Sequence, residues 1–284
     1  MSTIIAHFRA MVVTAFPYIK ISLNNNIMKT NAMDYTKSIL PIWIQNKKII
    51  ITGGTTGIGR ATALLMTALG NDVLICGDHQ HHLEDTLRDH EDLNTSGTLH
   101  GIILDLATEE GIHMLFNKFD NLYGHLDILI NNAAIAFQTV KDGNYSDQVY
   151  LLRTNILAYL ACTQAALSMM EPRGAGHIVN IGSMSADTRE AQSSVYVCSK
   201  GGIQAFTESL RKEANPKGIQ VSLIEPGSVG TDMQPLTPEE QRSKIEAMEM
   251  LYAEDIARVI AFTLSQPTRT SVVSMQVKPL RQII

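Results

Sequence analysis

The chain has 284 residues, of which 45% are hydrophobic and 18% are charged. This composition excludes a disordered polyelectrolyte and a collagen-like protein, and the length suits one α/β domain with some residues to spare. A net charge of −5 argues against a protein that binds nucleic acid through its phosphates. The three cysteines, Cys76, Cys162 and Cys198, are too few and too scattered for a disulfide framework or a CxxC metal site. We therefore expect reduced thiols and a cytoplasmic location.

Residues 1–45 differ from the rest of the chain. They contain several asparagines and no sustained hydrophobic periodicity. Their longest apolar stretch, Met11–Leu23, is interrupted by Pro17 and Lys20, so it is too short to cross a membrane and makes a poor signal peptide. We expect residues 1–45 to form a poorly ordered extension without a catalytic role, and residues 46–284 to form one folded domain.

From Asn46 onward, short apolar runs alternate with helical patterns. The predicted strands are Lys48–Thr52, Asp72–Cys76, His100–Leu104, Asp127–Asn131, His177–Ile181, Gln220–Ile224 and Val272–Val277. The predicted helices are Gly57–Leu69, His82–His90, Glu109–Leu122, Ser146–Met169, Val195–Ala214 and Ala253–Ser265. Several strand candidates are continuous runs of Ile, Leu and Val, which is typical of strands covered on both faces. The alternation predicts an α/β fold, a doubly wound (Rossmann-like), mostly parallel seven-stranded sheet with helices on both faces.

The first predicted strand runs into a glycine-rich turn, TGGTTGIG at residues 52–59, and then into a helix. Glycines let the backbone turn tightly and approach a diphosphate, which the free N–H groups and the dipole of a helix N-terminus stabilise. The spacing is G-x-x-x-G-x-G rather than the generic G-x-G-x-x-G. A glycine turn without a ligand is the alternative, and its position between the first strand and the first helix disfavours that interpretation.

Tyr196 and Lys200 form a YxxxK pair thirteen residues beyond Ser183, which follows the fifth predicted strand. If Tyr196 opens a helix, the two side chains share one face. A nearby ammonium stabilises a phenolate, so we expect the pKa of Tyr196 to be lowered. Such a tyrosine can take a proton from an alcohol, or return it to a carbonyl, while hydride moves to or from a nicotinamide. Taken alone, the pair is also compatible with ordinary packing and a solvated amine.

Together, these motifs resemble the short-chain dehydrogenase/reductase family in its shorter, single-domain form. The resemblance spans roughly residues 46–278 and rests on the order and spacing of TGGTTGIG, NNAA at 131–134, the YxxxK pair and PGSVGTDM at 226–233. It implies a catalytic tetrad of Asn155, Ser183, Tyr196 and Lys200. In that family the tyrosine is the general acid/base and the serine binds the substrate oxygen. The lysine binds the nicotinamide ribose and lowers the tyrosine pKa, and the asparagine holds a water in a proton relay.

The resemblance also implies an NAD(P)(H)-dependent oxidoreductase that interconverts a secondary alcohol and a carbonyl. The implied cofactor-binding residues are Gly53, Thr55, Thr56, Gly57, Ile58, Gly59, Asp78, Asp105, Leu106, Asn132, Ala133, Tyr196, Lys200, Pro226, Gly227, Val229 and Thr231. The alternative is a non-catalytic dinucleotide-binding sensor or scaffold, which the complete tetrad disfavours. Family members pair two long helices across a two-fold axis, so a homotetramer or homodimer is expected. The two helices predicted here, Ser146–Met169 and Val195–Ala214, are apolar on more than one face.

The residue after the second strand bears on the choice of nicotinamide cofactor. In this fold a carboxylate there binds the 2′-hydroxyl of NAD, whereas an arginine receives the 2′-phosphate of NADP. Asp78 stands at that point, one residue beyond the usual aspartate, and no Lys or Arg occurs between Arg60 and Arg88. We therefore expect NAD(H) to be favoured over NADP(H). The alternative is that Asp78 only caps a helix beginning near Gln80.

Two further groups of residues invite a functional interpretation. Four histidines, His79, His81, His82 and His90, crowd the second loop and helix, but no Cys or carboxylate set completes a metal site, so we expect no metal. The segment after the PG loop (residues 226–227) contains Met233, Met248 and Met250. It is interpreted equally well as ordinary packing or as a mobile substrate lid. Pro235, Pro238 and the acidic pair that follows predict a separate short helix there.

Overall fold

The computed structural model describes residues 44–136 and 139–283. The predicted poorly ordered extension, residues 1–45, lies outside this range except for Ile44 and Gln45. Ile44 is buried in the core, and its carbonyl accepts a hydrogen bond of 3.1 Å from Asn71 Nδ2. The folded domain therefore includes residue 44.

Strands and helices alternate through the described residues as the sequence predicts. The strands are β1 (Lys48–Thr52), β2 (Asp72–Gly77), β3 (Leu99–Ile103), β4 (Ile128–Asn131), β5 (Gly176–Ile181), β6 (Ile219–Pro226) and β7 (Ser274–Val277). The helices are α1 (Gly57–Ala68), α2 (Gln80–Leu93), α3 (Glu109–Tyr123), α4 (Tyr145–Leu152), α5 (Ala158–Met170), α6 (Ser185–Thr188), α7 (Ser194–Ala214), α8 (Pro238–Glu246) and α9 (Ala253–Leu264). A π-turn (Arg153–Leu157) joins α4 to α5.

The seven strands form one sheet in the order β3-β2-β1-β4-β5-β6-β7, and every neighbouring pair is parallel. This confirms the predicted doubly wound, Rossmann-like α/β fold. The strand order reverses between β1 and β4, where the register pairs Ile50 with Leu129. In open parallel sheets, ligands bind beyond the carboxyl ends of the strands at such a reversal.

Apolar side chains from alternate positions of the central strands fill a layer on each face of the sheet. On one face, Ile50 and Leu129 pack with Phe119 of α3. On the other face, Ile51 packs with Met66 of α1 and with residues of α9. The core therefore lies on both sides of β1 and β4, and the ends of these strands are held rigidly.

The structure departs from the predicted elements in a few places. The continuous helix predicted over Ser146–Met169 is interrupted by the π-turn, and α2 extends beyond the predicted His82–His90 at both ends. Strand β6 continues to Pro226, because its last residues pair with β7 up to Val277. The predicted short helix is α8, which begins with a capping box at Thr237. Among the described residues, no helix is both long and apolar enough to span a bilayer.

Candidate active site

The turn between β1 and α1 has no room for side chains at two of its glycines. Gly53 has φ of +61°, and a Cβ atom on it would come within 2.8 Å of Ala133 Cα. A Cβ atom on Gly59 would lie 2.0 Å from the carbonyl oxygen of Gly53. Glycine is therefore required at both positions, and it allows the first turn of α1 to pack directly against the end of β1.

A dinucleotide diphosphate fits this turn. Thr56 is the N-cap residue of α1, but its side chain makes no capping hydrogen bond, and no acidic residue lies in the first turn. The backbone N–H groups in the first turn of α1 therefore remain available as hydrogen-bond donors. They lie at the positive end of the helix dipole. An anionic ligand is the partner that such an end favours.

Hydrogen bonds of the Thr52 and Asn132 side chains join the ends of β1 and β4. Of these two residues, only Asn132 was predicted to bind the cofactor. Asn132 Nδ2 donates to the carbonyl oxygens of Thr52 (3.0 Å) and Gly53 (2.9 Å). Thr52 Oγ1 accepts from the backbone N–H groups of Asn132 (2.9 Å) and Ala133 (3.1 Å). Thr52 opens the TGGTTGIG motif but was not among the predicted site residues, because the sequence does not show that its hydroxyl reaches residues 132 and 133.

Three of the predicted cofactor-binding residues follow β2 and β3. Asp78 is exposed, and its Oδ1 lies 2.6 Å from Nδ1 of the neighbouring His79. His79, not Asp78, is the N-cap residue of α2, so the alternative role of Asp78 as the helix cap is wrong. After β3, Asp105 Oδ1 accepts from the backbone N–H of Ala107 (2.8 Å), and Leu106 is buried.

The segment after β6 returns to the glycine turn. A Cβ atom on Gly57 would lie 3.0 Å from Thr231 Cγ2, so this part of the segment faces the start of α1. Val229 is buried nearby. Gly227 approaches the side chain of Gln282, whose Oε1 also accepts from the backbone N–H of Ser228 (3.0 Å). The predicted cofactor residues from all these strands therefore share the carboxyl edge of the sheet.

Three of the predicted catalytic residues converge at the end of β5. Ser183 follows β5 directly, and Tyr196 and Lys200 lie one turn apart near the start of α7. Lys200 is 2% exposed, and its Nζ donates to the carbonyl oxygen of Ile181 at 2.9 Å. The same Nζ lies 5.7 Å from the ring centroids of both Tyr159 and Tyr196. Tyr159, whose hydroxyl donates to Ile181 at 3.2 Å, was not predicted as part of the site.

The electrostatics at Tyr196 differ from the expectation. Burial raises the pKa of Tyr196 above 10, the nearby Ser183 hydroxyl acts in the opposite direction, and the Glu190 carboxylate raises it further. The predicted net lowering of this pKa is wrong, because desolvation by burial outweighs the favourable contacts and Lys200 Nζ donates its hydrogen bond to Ile181 rather than to the phenol oxygen. Burial also lowers the pKa of Lys200 from 10.5 to about 8. At neutral pH the phenol keeps its proton and most of the lysine is charged.

Asn155 occupies the π-turn, and its amide is fully bonded. Its Oδ1 accepts from the backbone N–H of Ile135 (2.8 Å), while Nδ2 donates to the Ile135 carbonyl (2.9 Å) and to Ser199 Oγ (3.2 Å). The Asn155 side chain therefore links Ile135, the residue after NNAA, to the π-turn and to Ser199 in α7. Its role in a water relay stays a prediction. The π-turn itself is a feature often found at functional sites.

The clustered histidines form no metal centre in the described part of the chain. The rings of His79, His81 and His82 lie between 3.9 and 5.8 Å apart at the start of α2. No group of three or more His, Cys, Asp or Glu side chains within residues 44–136 and 139–283 is arranged to hold a metal.

Comparisons with known proteins agree with this geometry. A family model described as short chain dehydrogenase matches residues 47–242. A 3-oxoacyl-[acyl-carrier-protein] reductase of Aquifex aeolicus is 32% identical over 233 residues, covering 80% of this chain and 93% of that protein. The human dehydrogenase/reductase SDR family member 11 is 31% identical over 251 residues, covering 84% of this chain and 96% of that protein.

A solved structure extends the comparison to the fold. The crystal structure of a short chain dehydrogenase from Burkholderia cenocepacia, in complex with NADP, is 29% identical and has a TM-score of 0.72. The similarity covers 84% of this chain and 98% of that one. With the glycine turn and the Ser183, Tyr196 and Lys200 group at the same sheet edge, these matches lead to one conclusion. The chain belongs to the short-chain dehydrogenase/reductase family, whose members are oxidoreductases that bind NAD(P) in a Rossmann-like fold.

Proposed function

We propose that the protein interconverts a secondary alcohol and a carbonyl by hydride transfer, with NAD(P)(H) as cofactor and Tyr196 as the general acid/base. The main support is the placement of Tyr196 beside Ser183 and one helical turn from the buried Lys200. A tyrosine, a hydroxyl donor and an ammonium together supply what a carbonyl oxygen needs as it becomes an alcohol.

Each of the three side chains has a task that follows from its environment. The phenol of Tyr196 is protonated at neutral pH, so it can donate a proton to a carbonyl oxygen. Ser183 would hold that oxygen by a hydrogen bond. Lys200 is mostly charged at pH 7, since its pKa is about 8, and would offset the negative charge left on Tyr196. When bound, the nicotinamide supplies or accepts the hydride.

A spectrophotometric screen tests this proposal. The absorbance of the reduced nicotinamide would be followed with a panel of ketones, aldehydes and secondary alcohols. We expect turnover with at least one compound. Tight binding of the cofactor without turnover of any member would instead favour a non-catalytic sensor or scaffold.

We propose that NAD(H) is favoured over NADP(H). The exposed carboxylate of Asp78 follows β2, where a 2′-phosphate would be repelled. Arg60, the nearest basic residue before it in the sequence, is paired with Asp89. The NADP bound to the Burkholderia protein points to the opposite cofactor, so the preference rests on Asp78.

Asp78→Arg is expected to shift the ratio of kcat/KM for NADH and NADPH toward NADPH by about tenfold or more, about 1.4 kcal/mol. The substitution removes a carboxylate that repels the 2′-phosphate and adds a guanidinium that binds it. The control is Asp92→Arg, which changes the net charge equally at an exposed position late in α2, the helix that follows Asp78. A wild-type enzyme that already favours NADPH tenfold would contradict the role of Asp78.

We also propose a homodimer or homotetramer. Leu157 and Leu160, on the π-turn and α5, are 53% and 37% exposed. A groove of about 350 Å³ between α5 and α7 is lined by Leu160, Leu167 and Phe206 together with polar and acidic side chains. Exposed leucines beside such a groove are typical of a surface that another subunit covers.

Leu160→Glu is expected to convert the oligomer to smaller species, because it places a charge in the proposed interface. Analytical ultracentrifugation at micromolar concentration would report the mass. Leu93→Glu, a matched control at a 50% exposed leucine of α2, should leave the mass unchanged. A wild-type protein that sediments only as a monomer would contradict the proposal.

The cysteines support a cytoplasmic location, which we also propose. All three are free, and Cys76 and Cys162 are buried. Burial raises the pKa of Cys76 to about 12, which keeps that thiol unreactive. Unpaired thiols are typical of proteins in reducing compartments.

A further inference from the structure

Two carboxylates and two amides form a closed hydrogen-bonded ring behind the proposed catalytic residues. Gln204 Nε2 donates to Asp187 Oδ1 at 3.0 Å and to Glu225 Oε1 at 3.1 Å. Gln276 Nε2 donates to the other oxygen of each carboxylate, Asp187 Oδ2 and Glu225 Oε2, the latter at 3.5 Å. These four side chains are called the carboxyl–amide ring below.

The donors and acceptors of the carboxyl–amide ring match in number. Each amide nitrogen has two N–H groups and each ionised carboxylate has two oxygens, so four donors meet four acceptors. Ser274 Oγ adds a further hydrogen bond to Glu225 Oε2, at 3.2 Å. Within the described part of the chain, neither carboxylate has an ion-pair partner. Directional hydrogen bonds, not an opposite charge, therefore hold the four side chains together.

The ring joins four elements that surround the candidate active site. Asp187 lies in α6, four residues after Ser183, and Gln204 lies in α7, four residues after Lys200. The other two members come from β6 and β7, and Glu225 directly precedes the segment that begins with Pro226 and Gly227. One amide, that of Gln204, thus connects the segment carrying Ser183 to the helix carrying Tyr196 and Lys200.

The ring contacts of helix α6 add to the backbone hydrogen bond from Met184 N–H to the Pro226 carbonyl (3.0 Å). Helix α6 has only four residues, and the connection that follows contains two non-glycine residues with left-handed backbone, Arg189 (φ +49°) and Gln192 (φ +66°). A backbone conformation of this kind persists where the surrounding structure enforces it. Asp187 is the residue of α6 that contacts both Gln204 and Gln276.

The burial of Glu225 is unfavourable in isolation. Glu225 is only 2% exposed. Burial raises the pKa of Glu225, and the nearby Asp187 carboxylate raises it further by a smaller amount. A hydrogen-bonded carboxyl of this kind contributes to geometric specificity rather than to net stability. Catalytic geometry tolerates little error, since a displacement of about 1 Å can cost about 100-fold in rate.

We propose that Gln204, through the carboxyl–amide ring, is a positioning residue that fixes the separation of Ser183 and Tyr196. This rests on the function proposed above for those two residues. Gln204 donates to Asp187 and Glu225 rather than to Ser183 or Tyr196. Gln204 holds α6 against α7, so that the Ser183 hydroxyl and the Tyr196 phenol can both hydrogen-bond to the same carbonyl oxygen.

The test compares Gln204→Met with Gln220→Met. Methionine keeps the length of the side chain and removes the N–H donors. Gln220 is a matched control, because its Nε2 also bridges two acceptors, the carbonyl oxygens of Thr268 (3.2 Å) and Thr270 (2.9 Å), at the opposite end of β6. Both variants lose two hydrogen bonds, but only Gln204→Met opens the carboxyl–amide ring.

We expect Gln204→Met to lower kcat about tenfold, to leave the Kd of the reduced cofactor within about twofold, and to raise the primary deuterium isotope effect of hydride transfer. Gln220→Met should keep both kcat and the isotope effect of the wild type. If Gln204→Met retained wild-type kcat, or if both variants lost the same fraction of kcat, the positioning role would be wrong.

Hydrogen–deuterium exchange on the same proteins separates this inference from the proposed function. Faster exchange in residues 183–189 and at the start of α7 is expected in Gln204→Met and not in Gln220→Met, and this readout needs no turnover. A wild-type protein that turns over no alcohol or carbonyl would contradict the proposed function. Unchanged exchange in Gln204→Met would contradict the role of the carboxyl–amide ring, whatever the activity.

Discussion

Tyr196→Phe is expected to lower turnover by about two to four orders of magnitude, the scale of positioned acid/base catalysis. Phenylalanine keeps the ring that packs beside Lys200 but has no proton to exchange with the substrate oxygen. The phenol holds its proton at neutral pH, where burial disfavours the phenolate. Cofactor affinity should change by no more than about twofold, since the ring remains in place.

Steady-state kcat and a fluorescence titration of the reduced cofactor check this prediction together. Tyr145→Phe is a suitable control, because Tyr145 is 81% exposed at the start of α4 and is not among the proposed site residues. Retained turnover in Tyr196→Phe would overturn the assignment of Tyr196 as the acid/base.

Lys200→Met is expected to lose turnover and cofactor affinity together. The ammonium is proposed both to contact the nicotinamide ribose and to offset charge on Tyr196. A hydrogen bond to a charged group contributes about 1.5 to 3 kcal/mol, so about ten- to a hundredfold in cofactor affinity depends on it. Lys200→Met that bound the cofactor normally would contradict the contact with the ribose.

The same substitution is expected to stabilise the fold at neutral pH. Burial lowers the pKa of Lys200 from 10.5 to about 8, so keeping the ammonium buried costs on the order of 3 kcal/mol. The hydrogen bond that is lost contributes about 1 kcal/mol, and the Ile181 carbonyl keeps its bond from Tyr159. The folded state binds the proton less tightly than the unfolded state, so wild-type stability increases as pH rises from about 8 to above 10.

Thermal melts across that pH range measure this effect. Lys200→Met should melt above the wild type at pH 7, and the difference should shrink as the pH approaches the ordinary range of lysine. A melting temperature for Lys200→Met that is lower than that of the wild type at every pH would show that packing, not the buried charge, dominates at this position. A stable but inactive variant is the pattern expected of a residue kept for function.

The sequence alone determined the features that depend on local patterns. Continuous runs of Ile, Leu and Val predicted the buried strands, since side-chain burial on both faces of a parallel sheet requires them. The glycine turn was equally predictable, because positive φ at Gly53 and close approach at Gly59 exclude larger residues. The resemblance to the family motifs implied the grouping of Ser183, Tyr196 and Lys200, and the carboxyl end of β5 and the start of α7 bring them to one edge of the sheet.

The tertiary structure decided whatever depends on contacts between distant segments. The pKa of Tyr196 was predicted to fall, but desolvation by surrounding segments raises it, and the position of Lys200 Nζ is set by the carbonyl of Ile181. The amide of Asn155 is bonded to Ile135, twenty residues away. Asp187 and Gln276 in the carboxyl–amide ring are 89 residues apart. Hydrogen bonds and desolvation act between neighbours in space, so no local pattern in the sequence could predict them.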